Sequence, residues 1–488
     1  MMNKKYLRFL FDQYRVSLLF FLVIYAAAVL IQVLLDDGSS GRENIAAALE
    51  LAGGMSMAIA FFMPLPLFSY LHRRRSVDMY GAIPYSRTAQ LLTNLAFAYI
   101  YAFGTFLLAW LVLLGPARHA GIGAGLLVSY LIMMALICLT LMLFNSALFT
   151  IGNNIVDGVI ILAAYTALPL TLLLLLSAFQ DNMVPALLDY NSDLAKWFSP
   201  LAMSGQITSS LADMSLTKGA VTMFDARTII VLLCFCVVSC LILRSQVLRR
   251  SMERAEQVSN SRLAYPLIIP LYALIVLISF FMSAKSGDSV GLLLLEVVVV
   301  FVAYAVGQFI YRRTLRPNRR MLIGFAVCVA ASALFTFAAW QTHGFGEGDK
   351  FVRLPPGKVE YSYSYKADPS DLSMPGDMDK DLADVTFQVN VPADGRDGEA
   401  ARLMEDLRRR ESEEFYDSFF RPENYYDSTL NVSLPGVDEG YLSYSINGRG
   451  LTEDQLRTIA KHTGVKVEFM KANGGVHKTY TLDQYLRR

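Results

Sequence analysis

Arg73-Arg74-Arg75-Ser76-Val77-Asp78-Met79-Tyr80, continuing through Ile83-Pro84 to Arg87, gathers cations, a carboxylate, a hydroxyl and an aromatic ring in one short stretch. Guanidinium forks and carboxylates recognise complementary surfaces, and no nucleophile with an adjacent base stands among them, so the chemistry offered is docking, not bond making. Val77, Met79, Tyr80 and Ile83 add an apolar-aromatic face to the cations, as a docking element for a cytosolic partner would. The plain alternative is a basic tether that only sets membrane orientation. A second constellation is Leu248-Arg-Arg250-Ser-Met-Glu253-Arg254-Ala-Glu256. Written as a helix, it places Arg249 and Arg250 four and three residues before Glu253, a spacing that supports an exposed helix. Its arginines alone would anchor topology. Glu253 and Glu256 do nothing for topology, and so add weight to a second cytoplasmic contact. The third candidate is Glu296, in the middle of an apolar run, where a charge costs at least about 2.5–3.5 kcal/mol. Proton coupling or a substrate contact would use it; a protonated carboxyl bonded to a neighbouring helix is the plainer and favoured explanation. No Lys, Arg or His lies at mid-run depth beside it, which argues against a proton relay.

Catalytic and metal chemistry find no support. The chain has no Gly-x-x-x-x-Gly-Lys-Ser/Thr loop, no His-Glu-x-x-His and no Gly-x-Ser-x-Gly. Its five histidines (His72, His119, His343, His462, His477) are scattered, and its five cysteines all lie inside hydrophobic runs. Cys234-x-Cys236 has neither zinc-knuckle nor redox spacing. No cofactor is expected on this chain. The basic residues sit at the ends of hydrophobic runs, a distribution that does not suit nucleic acid.

The elements that must position these residues follow from hydropathy. Of 488 residues 54% are hydrophobic and only 17% charged, and the apolar residues come in blocks long enough to cross about 30 Å of hydrocarbon. Nine spans are expected, at about 16–35, 45–70, 89–114, 122–150, 157–179, 228–246, 265–283, 289–311 and 321–341, giving a polytopic all-α membrane protein. Asn145, Gly152, Asn153, Asn154 and Asp157 are the break between the fourth and fifth. Lys4, Lys5 and Arg8 before the first run resemble a secretory signal, but the run continues to Leu35, so a retained span is expected. The basic connectors, His72 to Arg87, Arg244 to Arg262 and Arg312 to Arg320, alternate with loops carrying Asp36-Asp37, Arg118-His119, the 180–227 segment and Lys285 to Asp288. The positive-inside rule then puts the N-terminus in the cytoplasm of a cell membrane and residues after 342 outside. The 180–227 segment, with Trp197 at headgroup depth, is expected as a surface loop over the bundle or a gating element.

Charge divides the chain in the same place: 24 Lys and Arg against 16 Asp and Glu up to residue 341, then 19 against 26. The last region alternates in strand-like pieces at 359–365, 385–391, 429–434 and 441–446, with helical stretches at 398–415 and 452–463, the second capped at Thr452. A hairpin around Asn473-Gly474-Gly475 would end it. The expectation is a small C-terminal α+β extracytoplasmic domain.

Arg74 to Tyr80 followed by Ile83-Pro84-Tyr-Ser-Arg87 resembles the K-R-S-x-D-x-Y-x-x-L-P-x-S-R signature after the second span of bacterial ABC-2-type exporter permeases, in the branch encoded beside Ytr-type ATPases. Arg250 to Ala255 is similar to that branch's R-x-S-E-x-A-G segment, and Tyr304-Ala-Val-Gly307 to Arg313 to its last cytoplasmic turn. Gly81-Ala82 stand where the family often has His-Ser, and Glu256 where it often has Gly. The resemblance implies a six-helix permease core over 1–250, three additional spans over 251–341 and an outer domain over 342–488. It implies that Arg73, Arg74, Arg75, Ser76, Asp78, Tyr80, Ile83, Pro84 and Arg87 couple to a separate ABC ATPase, with Arg250, Glu253, Arg254 and Glu256 as a second contact. ATP and Mg would reside on that partner, and a second permease copy or homologue would complete the transporter in the lipid bilayer. The cargo implied is a hydrophobic, amphiphilic or peptide-like compound. Two other functions fit the residues: a membrane sensor with a ligand-binding outer domain, and an ion-coupled secondary transporter using Glu296.

Overall fold

The computed structural model describes residues 4–34, 41–82, 85–184, 187–188, 197, 199–216, 223–248, 250, 253, 255–257, 259, 261–283, 290–346, 360–367, 382–391, 398–417, 426–433, 441–447, 450–463, 466–471 and 476–481. Among them, nine helices are long and apolar enough to cross a membrane: Lys4–Leu34, Gly41–His72, Arg87–His119, Ala124–Phe149, Ile155–Met183, Ala226–Leu248, Tyr265–Ser283, Gly291–Arg312 and Arg319–Gln341. Each corresponds to one of the expected apolar runs, the set of a multi-pass membrane protein. The second is interrupted where Pro64 and Pro66 remove backbone donors, so Gly41–Phe62 gives way to Pro64–Phe68 and a 3₁₀ turn at Ser69–His72. The first begins at Lys4, well before its apolar run. Tyr6 and Leu10 are buried there, and the Tyr6 hydroxyl donates to Asn94 Oδ1 at 3.1 Å.

The chain forms two compact units. One comprises 1–170, 192–271 and 307–316; the other comprises 171–191, 272–306 and 317–488. Three of the divisions fall within the Ile155–Met183, Tyr265–Ser283 and Val290–Arg312 helices.

In the first unit, Lys4–Leu34, Gly41–Phe62, Arg87–His119 and Ala124–Phe149 bury a shared core around Ala52, Phe106, Tyr130 and Ile137. Gly53 lets two elements approach this core closely: a Cβ there would stand 2.5 Å from the Tyr130 hydroxyl and 2.8 Å from Thr208 Cγ2. The 180–227 segment corrects an expectation. Two of its described helices, Pro200–Ser209 and Leu211–Leu216, bury Met203 and Leu211 in that core instead of lying over the surface. Burying these two apolar side chains removes them from solvent.

The second unit holds a small helical cluster (Met183, Ile278, Met282, Ala339) and a seven-stranded antiparallel sheet of order β1-β5-β4-β2-β3-β6-β7. The strands are β1 Leu187–Leu188, β2 Glu360–Ala367, β3 Leu382–Val391, β4 Tyr426–Ser433, β5 Tyr441–Asn447, β6 Lys466–Lys471 and β7 Val476–Thr481. Period-two alternation buries Tyr361 and Tyr363, Phe387 and Val389, Leu430 and Val432, and Tyr444 and Ile446. Helices Gly398–Asp417 and Glu453–Thr463 supply Met404, Leu407, Leu456 and Ile459 to the core. Thr452 caps the second: its Oγ1 accepts from Gln455 N, and Gln455 Oε1 accepts from Thr452 N, a reciprocal capping box. The edge strand β1 comes from the 180–227 segment and pairs Leu187 with Ser443, which alternation alone does not foreshadow.

Candidate functional site

The first basic connector folds into a separate eight-residue helix, Arg74–Gly81, entered through extended backbone at Arg73. Its spacing puts Val77 inward, where it is buried, while Arg73, Arg74, Arg75, Asp78 and Met79 are exposed and Ser76 is half-buried. Tyr80 is half-buried and stacks on Tyr70 with ring centroids 4.4 Å apart. Burial pushes its phenol up, and a hydrogen bond with Gln13 opposes that shift. Gln90 Nε2 donates to the Tyr80 carbonyl at 3.0 Å, fixing the end of the short helix to the start of Arg87–His119. That longer helix is capped by Ser86, whose Oγ accepts from Ala89 N at 3.2 Å. Ile83 and Pro84 lie outside the described residues.

The two basic segments meet. Arg87 Nη1 donates to the Arg250 carbonyl at 2.6 Å. Arg74 Nε donates to the Ala255 carbonyl at 3.3 Å, its amide to Glu256 Oε1 at 3.4 Å, and the two side chains pair at 3.9 Å. Both are more than half exposed, so the ion pair contributes at most about 1 kcal/mol. Arg254 lies outside the described residues, and Glu253 is exposed.

The turn at 150–154 joins these segments. Arg250 is buried, and its Nη1 donates to the Thr150 and Gly152 carbonyls at 3.0 and 3.1 Å. Glu256 N donates to the Asn153 carbonyl at 2.9 Å and Ser259 Oγ to that of Ile151 at 2.8 Å. Gly152 crosses Gly158 so closely that a Cβ would stand 2.5 Å from Gly158 N, and His72 packs edge-on against Phe149 at 4.5 Å. Beyond the turn, Asp157 accepts from the Tyr265 hydroxyl at 2.9 Å and lies 3.9 Å from Arg313.

The helix expected through 248–256 is corrected. The spanning helix ends at Leu248, Ala255 and Glu256 form a turn, and Glu256 has φ +65°, the left-handed region that favours glycine. Arg250 Nη1 and the Glu256 amide donate to carbonyls of the 150–154 turn, and the Glu256 carboxylate meets Arg74. Sequence reasoning therefore missed the hub of the network. Gly152, Asn153 and Asn154 stood out only as a break in hydropathy, and main-chain carbonyls leave no residue-type signal. Asp157 and Gln90, polar residues at the margins of apolar runs, were the available clues.

Glu296 is half-buried in Val290–Arg312, in the part of that helix belonging to the second compact unit. No group of three or more metal-ligating side chains occurs among the described residues. No protein-family model, no curated protein and no solved structure matches this chain. The site's chemistry is thus read from its own geometry: an exposed amphipathic helix whose inner side is fastened, by hydrogen bonds and stacking, to the ends of several spanning helices.

Proposed function

We propose that this chain is the membrane permease subunit of an ATP-binding cassette exporter of the ABC-2 type, driven by a separate cytosolic ATPase. The observation that carries the reading is the Arg74–Gly81 helix. It is distinct from the flanking spans, exposes Arg75, Asp78 and Met79 (58% exposed), and is tied to Arg87–His119 through Gln90 and to the 250–256 segment through Arg74. A surface of mixed charge around an exposed methionine fits insertion into a groove of a partner. Arg87, also exposed, takes a different role from Arg75: its hydrogen bond to the Arg250 carbonyl makes it a positioning residue beside the docking face. In this reading the short helix faces the cytoplasm, the sheet region lies outside the cell, ATP and Mg sit on the partner, and two copies or homologues form the pathway. The cargo is apolar or amphiphilic.

Co-purification with a cytosolic ABC ATPase tests it. The expected result is association and ATP-dependent cargo accumulation in inverted vesicles, with Arg75→Glu plus Met79→Asp abolishing association. Unchanged association in that variant overturns the docking assignment. Cargo movement by the isolated chain that follows the proton gradient and is lost in Glu296→Gln would point to ion coupling instead.

A further inference from the structure

The sheet of the second unit is fastened to the spanning helices of the same unit in two ways. The first is its edge: strand β1 follows shortly after the end of Ile155–Met183 and pairs with β5, Leu187 with Ser443 and Leu188 with Leu442. The second is the last turn of Gly398–Asp417. There the Tyr416 hydroxyl donates to the Met183 carbonyl at 2.7 Å, and the Tyr416 ring lies on that of His343, with centroids 4.3 Å apart and planes 23° from parallel. His343 belongs to a tight turn that follows Arg319–Gln341. His343, Gly344, Phe345 and Gly346 have φ of 51°, 66°, 57° and 83°, four left-handed residues in a row. A residue with a Cβ resists that backbone, so His343 and Phe345 hold it only where their surroundings over-determine it. Tyr416 supplies that contact for His343, while Phe345 stacks on Phe179 at 6.1 Å and meets Phe335 at 5.3 Å. The amides of Gly344 and Gly346 close the turn by donating to the Ala339 and Thr342 carbonyls at 2.7 and 2.8 Å. A Cβ at Gly344 would stand 3.0 Å from the Met183 carbonyl oxygen, the same oxygen that Tyr416 uses. Met183 is thus met from the sheet domain and from the turn, and it is buried in a cluster with Ile278, Met282 and Ala339.

We propose that these fastenings make the sheet domain a lever on the spanning helices of its unit: a force or ligand that turns the domain moves the helix ends at Met183 and Gln341 with it. A strand pairing together with a hydrogen bond and a ring stack resists the free rotation that a single linker permits. The left-handed turn is the element that yields when the lever is cut, because removing the Tyr416 ring removes a contact that holds His343 in its strained backbone. The lever serves a transporter or a sensor alike, so failure of the transporter reading leaves it standing.

The test is double electron–electron resonance on the full-length chain in lipid nanodiscs, with genetically encoded spin labels at Ser177 on Ile155–Met183 and Gln388 on β3, both exposed. A single narrow distance distribution is expected, and Tyr416→Ala should replace it with a broad one. A control pair within the sheet domain, Gln388 with the exposed Asp406, should stay narrow in both. A broad distribution between Ser177 and Gln388 in the unmutated chain overturns the proposal, and so does an unchanged one in Tyr416→Ala. Equal broadening of the control pair overturns it too, since Tyr416 would then act on the fold of the domain and not on its attachment. Should Tyr416→Ala not fold, Tyr416→Phe, which keeps the ring and removes the hydroxyl, decides by hydrogen exchange. Amides at 180–184 should exchange about fivefold faster, as expected for one hydrogen bond lost, and unchanged exchange there overturns the assignment.

Discussion

Each compact unit buries an arginine, and the two are treated differently. In the second unit, Arg408 is fully buried on Gly398–Asp417, and its Nε donates to Glu405 Oε2 at 2.9 Å while the Tyr361 hydroxyl donates to the same oxygen at 2.8 Å. Burial alone would pull the Glu405 carboxyl up, but the hydrogen bonds from Arg408 and Tyr361 outweigh it and hold the carboxyl below its ordinary value. For Arg408, burial pulls down, and bonds with Glu405 and Tyr444 reverse the direction. That guanidinium is neutralised where it sits. In the first unit, Arg250 meets the Thr150 and Gly152 carbonyls, which fix its position. The first contact joins opposite charges within one helix; the second joins a side chain to a turn about a hundred residues away.

Breaking each arginine's contacts sharpens that contrast. Arg408→Ala should cost about 3 kcal/mol, the low end for breaking a buried pair because Glu405 is itself partly exposed. Faster hydrogen exchange across β2, β4 and β5 in the full-length chain would register it. Arg250→Ala should cost less, about 2 kcal/mol, the worth of charge-assisted bonds to carbonyls. If thermal unfolding ranks the two the other way, the distinction between an arginine bonded to a carboxylate and one bonded to carbonyls fails.

Gly152→Ala probes the carbonyl side of the Arg250 contact. Its Cβ would meet backbone of Gly158 that has no room to yield, so a loss of about 1–3 kcal/mol is expected. Because the change displaces an oxygen that Arg250 uses, Gly152→Ala and Arg250→Ala together should lose less than the sum of the two, as a double-mutant cycle on melting temperature would report.

Acid separates the units as well. Glu405 has a folded-state pKa below its unfolded one, so its contribution is full above the unfolded value and is lost as pH falls through the folded value. Exchange across the sheet should accelerate over that acid window, and Glu405→Gln should flatten the response. An unchanged profile in the variant would remove the carboxylate from the account of Arg408.

The smallest effect concerns Glu256. Glu256→Ala keeps the left-handed strain and loses the contacts with Arg74, and should destabilise by about 1 kcal/mol. Glu256→Gly relieves the strain while losing the same contacts, so its stability should be close to that of the unmutated chain. A drop in Glu256→Gly equal to that in Glu256→Ala would show that the side chain's contacts, and not its backbone, set the cost.

Sequence legibility followed the range of the forces involved. The nine apolar helices were readable because length and hydropathy are local properties, and so were the strands, whose alternation at Tyr361-Ser-Tyr363 and Phe387-Gln-Val389 is that of a half-buried sheet. Thr452 announced its own helix start. The segment 200–216 was not readable as core, since its apolar content suits a membrane surface equally well. The helix through Glu253 and Glu256 was wrongly expected from charge spacing, because the competing contacts lie on the 150–154 turn about a hundred residues away. By itself the sequence determined which stretches are helix, strand or break, and that Arg73 to Arg87 and Arg250 to Glu256 carry unusual charge. Only the tertiary structure decided that these two stretches share one network, since the groups joining them are backbone carbonyls, identical in every residue type and identified only by where the chain places them.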